Sequence, residues 1–200
     1  MTSPPGRLIV VSSPSGGGKT TVVQGLRRRM PRLRRSVSVT TRARRPGERD
    51  GRDYHFISAA EFSRLRRARQ LLEWARVHGA AYGTPRGPIE RALARGHDVI
   101  LSIDVQGARK IRRAFGRRAL LVFLLPPAVA VLRQRLLRRR TETPASLARR
   151  LAAAARETAC ANWYDVRLAN GQIATVVDRL AAVLRRDRSK RGVSHGSRTD

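Results

Sequence analysis

Apolar residues run along this chain in two patterns. Three short unbroken runs, LIVVS at 8–12, VILSID at 99–104 and LLVFLL at 120–125, are rich in β-branched and large aliphatic side chains and are bounded by Gly, Pro or polar residues. Runs of that length and composition predict strands buried on both faces. A fourth run, DVRLAN at 165–170, is less apolar and reads as a further strand. Helical periodicity covers 19–29, 86–95, 107–115, 128–139, 144–160 and 172–186. Strands alternating with helices predict an α/β fold of three layers around a parallel sheet.

Two segments interrupt the alternation. At 36–82, SVSVTTR alternates with the period of a half-exposed strand. RRPGERDGRDYHFI then carries Pro-Gly and Asp-Gly turn signals before a second short strand, and AAEFSRLRRARQLLEWARV reads as a helix followed by a strand-like piece. This predicts a small inserted subdomain. At 128–160 the chain is helical and crowded with arginine, with Thr143 placed to cap a helix starting at Pro144. The end, 187–200, is polar and basic with Gly and Ser, which predicts disorder. The core is then 1–35, 83–127 and 161–186.

Composition changes this picture in one respect. Hydrophobic residues make up 41% of the 200 residues, as in a globular domain, yet the formal net charge is +29 and 40 of the 43 basic residues are arginine. Two readings stay open: attraction to nucleic acid or other polyanions, or an arginine-favouring genome whose side chains lie on solvated helix faces. The scatter of arginine along the whole chain and an aromatic content of 4% favour the second. A single cysteine, Cys160, leaves no internal disulfide and fits a reducing cytoplasm. His55, His78, His97 and His195 show no ligand spacing. The first residues lack the layout of a signal peptide, and the longest apolar run is broken by Pro126 and Pro127, so no membrane span is expected.

The run at 8–12 leads into SPSGGGKT, residues 13–20, which departs from G-x-x-x-x-G-K-[ST] only at Ser13. A strand that delivers the chain to a glycine-rich turn opening a helix brings backbone N–H groups and the helix dipole to phosphate. Ser13, Pro14, Ser15, Gly16, Gly17 and Gly18 are therefore expected to wrap the phosphates of ATP. Lys19 is expected to meet the β- and γ-phosphates, and the Thr20 hydroxyl to reach Mg²⁺. A small residue suffices at the loop entrance, where Ser13 stands. VILSID ends in Asp104, a residue placed either to cap a helix or to hold Mg²⁺ through water, and the neighbouring P-loop favours the second. Together these features predict the P-loop NTPase fold.

With that loop in place, SVSVTTRARRPGERDGRDYHF, LLEWARVHGAAYGT, SIDVQG and RRRTET follow in an order and spacing that resemble the guanylate kinase family over about residues 6–186. The resemblance implies a cytoplasmic enzyme that transfers the γ-phosphate of ATP to GMP with Mg²⁺, giving ADP and GDP. It makes 36–82 the GMP-binding insertion and 128–160 a helical lid. It implies that Ser38 bonds guanine, that Arg42 and Arg45 grip the GMP phosphate with Tyr54 and Tyr82, that Glu73 reads guanine and that Thr84 lines its pocket. Arg135 and Arg139 would close over ATP, Arg150 would reach the transferred phosphoryl group, and Asn170 would lie near adenine. The side-chain chemistry agrees. Arginines give bidentate, charge-assisted bonds to phosphate. A carboxylate accepts from both N1–H and N2–H₂ of guanine, a donor pair that adenine lacks.

Three positions depart from the family pattern: Ser13 in the P-loop, Ser102 where Asp or Glu is usual, and Gly171 where an acid is common. Three rival readings compete, one of them nucleic-acid binding driven by the +29 charge, which is compatible with catalysis. A sugar-phosphate kinase has no reason to carry Ser38, Arg42, Arg45, Tyr54, Glu73 and Tyr82 together. A non-catalytic protein-binding module of the same fold commonly loses its P-loop, whereas Lys19 and Thr20 are present here.

Overall fold

The computed structural model describes residues 5–14, 16–77, 79–137 and 143–196. In chain order its elements are β1 (Leu8–Ser12), α1 (Lys19–Arg29), β2 (Arg34–Arg35), β3 (Val39–Thr40), β4 (His55–Phe56), α2 (Ala59–Arg67), β5 (Leu71–Val77), β6 (Ala80–Pro85), α3 (Arg86–Ala94), β7 (Val99–Ser102), α4 (Val105–Phe115), β8 (Ala119–Leu125), α5 (Val129–Leu137), α6 (Pro144–Ala159), β9 (Val166–Ala169) and α7 (Ile173–Gly196).

The unbroken apolar runs become the centre of a five-stranded sheet of order β2-β7-β1-β8-β9, parallel throughout. Leu8 of β1 sits level with Val99 of β7 and Ala119 of β8. Because strand side chains alternate, such a run must feed two apolar layers at once. Leu8, Val10, Val99, Leu101, Leu121 and Phe123 pack with Ile89 of α3 and with Ala108 and Ile111 of α4. Ile9, Val11, Ile100, Leu120, Val122 and Leu124 pack on the other face with Val22, Val23 and Leu26 of α1 and Val176, Val177 and Leu180 of α7. This is the expected three-layer α/β fold. A charge placed at any β1 position would be buried without a partner. The C-terminal end of β1, flanked by β7 and β8, is where such sheets bind ligands.

A second sheet of order β4-β3-β6-β5 is mixed, with β3 parallel to β4 and antiparallel to β6, and β6 antiparallel to β5. Its core is small: Val39, Phe62, Leu71 and Ala81. Threonine hydroxyls stitch it together. Thr40 Oγ1 donates to the Ala81 carbonyl at 3.0 Å, and the Ala81 N–H donates to Thr41 Oγ1 at 2.9 Å. The alternating stretch around 36–42 pairs in this sheet only over Val39–Thr40. β6, whose Ala, Gly and Pro give little hydrophobic signal, carries the sheet to Pro85 through its pairing with Leu71, past the 82 expected for the inserted piece.

α5 and α6 hold together through Leu132, Leu136, Leu147 and Ala154. α6 starts as its sequence predicts, with Pro144 first and a reciprocal cap. Thr143 Oγ1 accepts from Ser146 N–H at 3.2 Å, and Ser146 Oγ accepts from Thr143 N–H at 2.9 Å. The tail departs from expectation. α7 continues as helix to Gly196 rather than losing order after 186. The added stretch contains no proline, Asp187 pairs with Arg7, and Ser189 Oγ donates to the Arg185 carbonyl at 3.1 Å.

Candidate active site

The loop after β1 takes its shape from two glycines with positive φ, Gly16 at 82° and Gly18 at 83°. Gly18 is also the residue before α1, so the loop hands directly into the helix. Gly17 is glycine for a different reason. A Cβ there would lie 1.8 Å from Ser13 Oγ and 2.9 Å from the Pro14 carbonyl. Ser13 therefore fills space that a glycine at position 13 would leave open, and Gly17 accommodates it. Ser13 is 1% exposed and its hydroxyl has no hydrogen-bond partner among the described residues. Lys19 Nζ donates to the carbonyls of Ser13 and Pro14, which folds the ammonium over the loop. Ser15 lies outside the described residues.

Asp104 ends the β7 segment and caps α4, with Oδ1 accepting from Gly107 N–H at 2.8 Å. Burial raises its carboxyl above the usual range, against the opposing pull of the Gly107 N–H, Lys19 and Lys110. Of the two roles weighed from sequence, the cap is the one seen, and it commits only one of the two carboxylate oxygens. Thr20 is exposed in the first turn of α1 and faces the same cleft. An exposed hydroxyl and one carboxylate are hard oxygen donors, too few to hold a cation alone. That fits Mg²⁺, which is bound mainly through substrate phosphates and water. No group of three or more His, Cys, Asp or Glu suited to a metal occurs among the described residues.

Across the cleft, β3 and β6 present the second set. Arg42 follows β3, its N–H held by Thr40 Oγ1 at 3.2 Å. Its Nε donates to the Tyr82 hydroxyl at 3.2 Å, and its Nη2 reaches Glu48 Oε1 at 2.8 Å and Oε2 at 2.9 Å. The Tyr54 and Tyr82 rings meet edge to face, with centroids 5.9 Å apart. Glu73 of β5 is 6% exposed, and Oε1 accepts from Thr84 Oγ1 at 2.5 Å. Burial pushes its carboxyl up to about 7; the Thr84 hydroxyl opposes this, Asp104 adds to it and Lys110 weakly opposes it.

One cavity of 720 Å³ joins the two sets. It is lined by Ser13, Pro14, Gly16, Gly17, Gly18, Lys19 and Thr20 at one end, by Ser38, Arg42, Arg45, Tyr54, Glu73 and Tyr82 at the other, and by Asp104, Arg135 and Arg150 between them. Two expected residues stand behind this lining. Thr84 is fully buried and orients Glu73 rather than facing the cavity. Asn170 is 3% exposed and donates through Nδ2 to the Gly17 carbonyl, so it braces the loop from behind. Arg139 lies outside the described residues. The sequence reading passed over Arg35, Glu48, Asp53 and Glu157, which also line the cavity. Glu48 and Asp53 sit in a stretch that reads as turn, and Glu157 in a helix that reads as amphipathic, so no local pattern singles them out.

The family model for guanylate kinase matches residues 5–187 of the chain. The chain belongs to the guanylate kinase family. The guanylate kinase of Thermobifida fusca is 50% identical over 180 residues, covering 90% of this chain and 91% of that protein. That of Bordetella pertussis is 46% identical over 184 residues, covering 92% of this chain and 85% of that one. Among solved structures, the crystal structure of guanylate kinase from Anaplasma phagocytophilum aligns with a TM-score of 0.78 at 34% identity, over 93% of this chain and 88% of that one. A gluconokinase from Sinorhizobium meliloti, 20% identical with a TM-score of 0.52, shares the fold alone. Ser102 closes β7 and lines the cavity, so the departure from the family's usual acid falls inside the site. Gly171 has open space where a side chain would stand.

Proposed function

We propose that this chain is an ATP:GMP phosphotransferase, a guanylate kinase that makes ADP and GDP. The observation that carries the reading is that one cavity joins a P-loop to a buried carboxylate, Glu73, by way of arginines and tyrosines suited to a phosphate. In the bound complex the backbone N–H groups of the loop beyond Pro14, those of Gly16 and Gly18 among them, and the Lys19 ammonium hold the ATP phosphates. Glu73 accepts from guanine N1–H and N2–H₂ while Thr84 fixes its second direction, and Ser38 adds a hydroxyl. Arg42, Arg45, Tyr54 and Tyr82 hold the GMP phosphate in line with the γ-phosphoryl group. Arg135 and Arg150, with Arg139, neutralise charge on the equatorial oxygens as α5 and α6 close and exclude water. Position and electrostatics suffice, because phosphoryl transfer asks little covalent chemistry of the protein.

Thr20 and, through water, Asp104 would hold Mg²⁺, which when bound neutralises phosphate charge. A core of 1–35, 83–127 and 161–186, a GMP-binding piece at 36–82 and a lid at 128–160 belong to the same reading. So does a cytoplasmic location, supported by the lone cysteine and by the lack, among described residues, of any helix long and apolar enough to cross a membrane. The +29 charge adds a non-specific, salt-sensitive attraction to polyanions.

Single substitutions sorted by which kinetic constant moves test the assignment. Arg45→Ala should raise KM for GMP and leave KM for ATP alone. Arg150→Ala should lower kcat with little change in either. A rise in KM for ATP from Arg45→Ala would place the two substrates the wrong way round.

A further inference from the structure

The segment between β3 and β4 holds a carboxylate that the reaction itself does not require. Glu48 is about one-fifth exposed, and both its oxygens meet Arg42 Nη2, at 2.8 and 2.9 Å. Oε2 also accepts the Arg45 backbone N–H at 2.8 Å, while the Glu48 N–H donates to the Arg45 carbonyl at 3.1 Å. One side chain thus holds the guanidinium of one phosphate-facing arginine and the backbone of the other. The effect reaches a third residue. Arg42 Nε donates to the Tyr82 hydroxyl, so that oxygen serves as acceptor on the arginine side and its own proton is free to point elsewhere. Tyr82 lines the cavity, so the proton is available to a phosphate oxygen there. Arg42 Nη1 is drawn to the Ala43 carbonyl at 2.5 Å. Of the five guanidinium N–H groups, Nε, Nη2 and one on Nη1 are engaged, which fixes the plane of the fork.

We infer that Glu48 is a positioning residue for the acceptor phosphate, holding Arg42 and the Arg45 backbone so that Arg42, Arg45 and the Tyr82 hydroxyl meet the phosphate already in place. The inference rests on GMP as acceptor and deepens that reading. The opposite role, a carboxylate that competes with phosphate for Arg42, would need Glu48 to be released on binding. Its reciprocal contact with Arg45 argues against release, because that contact builds the turn carrying both arginines.

The test is a kinetic and binding comparison of the unaltered chain with Glu48→Gln and Glu48→Asp. Gln keeps the size but loses the charge and one acceptor, so KM for GMP should rise about 10- to 100-fold, the effect of weakening charged hydrogen bonds. KM for ATP should stay within about threefold, and thermal stability should change little for a pair near the surface. Guanosine, which has the base and no phosphate, should bind both chains equally. Asp keeps the charge but is one methylene short of spanning Arg42 and the Arg45 amide together, so it should restore KM only in part. An unchanged or lowered KM for GMP in Glu48→Gln would overturn the positioning role, a lowered one in favour of competition. An equal loss for guanosine and GMP would reduce Glu48 to a structural part of the turn. If Glu48→Gln did not fold, Glu48→Asp would carry the same contrast, a higher KM for GMP with guanosine affinity unaltered, and failure of that contrast would overturn the inference. Absence of GMP turnover in the unaltered chain would instead remove the substrate reading, and this inference with it.

Discussion

Glu73→Gln should weaken acceptor recognition and stabilise the empty fold at the same time. Burial lifts the Glu73 carboxyl from 4.5 to about 7, with Thr84 and Lys110 opposing the rise and Asp104 adding to it. At ~1.4 kcal/mol per pKa unit, the ionised group costs the fold about 3 kcal/mol relative to the unfolded chain. The sign follows from proton uptake. The folded chain holds this proton more tightly than the unfolded chain, so the group's stabilising contribution is complete below pH 4.5 and is lost as pH rises through about 7. At pH 8 the neutral amide escapes the ionisation cost and its carbonyl still accepts from Thr84. Its buried NH₂ costs about 1–3 kcal/mol if unpaired. The net gain at pH 8 is then up to about 2 kcal/mol, a rise of up to about 8 °C in Tm for a chain of this size. At pH 5 the avoided cost falls to about 1 kcal/mol or less, so the gain should be gone and the variant should be no more stable than the unaltered chain, or less so. Catalysis should move the other way. Two charged hydrogen bonds to guanine, about 1.5–3 kcal/mol each, correspond to a loss of about 10²- to 10⁴-fold in kcat/KM for GMP. Ligand-free thermal melts between pH 5 and 8 and a coupled assay of ADP release read both effects. Equal destabilisation at pH 5 and pH 8 would show that ionised Glu73 carries no such cost, and a kcat/KM for GMP within about tenfold would remove it from base recognition.

Other outcomes follow from packing. Gly17→Ala should abolish most activity, since its Cβ would meet Ser13 Oγ at 1.8 Å, and adding Ser13→Gly should recover part of it, the Pro14 carbonyl at 2.9 Å still resisting. No recovery in the double variant would mean that the hydroxyl is not the obstacle. Asn170→Ala removes the donor to the Gly17 carbonyl and should raise KM for ATP about tenfold with KM for GMP unchanged; a reversed pattern would contradict its place behind the P-loop. Ser102→Asp should alter kcat/KM for GMP by less than about 100-fold, because Glu73 and Asp104 supply the carboxylates the site needs. A larger gain would mark the natural site as impaired.

The centre of the sheet was legible because β1, β7 and β8 are unbroken apolar runs that fill two layers at once, and so were the helices whose caps and breakers are explicit, such as Thr143 and Pro144 before α6. Short pairings were not. β2 is two arginines whose place depends on β7, and β6 is held by backbone pairing with β5 and β3, with Thr40 and Thr41 hydroxyls adding bonds to Ala81, and carries no hydrophobic alternation. At the site, most residues carried by motifs line one cavity, whereas the supporting contacts were not legible, even for Thr84 and Asn170, which were expected at the site. Thr84 behind Glu73, Asn170 behind Gly17 and Glu48 between two arginines each act through a contact made by folding, at separations of 11, 153 and 6 residues. Nor does a string of residues reveal that Ser13 and Gly17 must be chosen together; that follows from the 1.8 Å approach.

The central claim is tested most directly by ADP formation from Mg-ATP at physiological salt with GMP, AMP, UMP, CMP or a sugar phosphate as acceptor. Turnover with GMP alone, lost in Lys19→Ala and strongly reduced in Glu73→Ala, is the result expected of this site. Turnover with the sugar phosphate or AMP in place of GMP, or none with any acceptor, would contradict it.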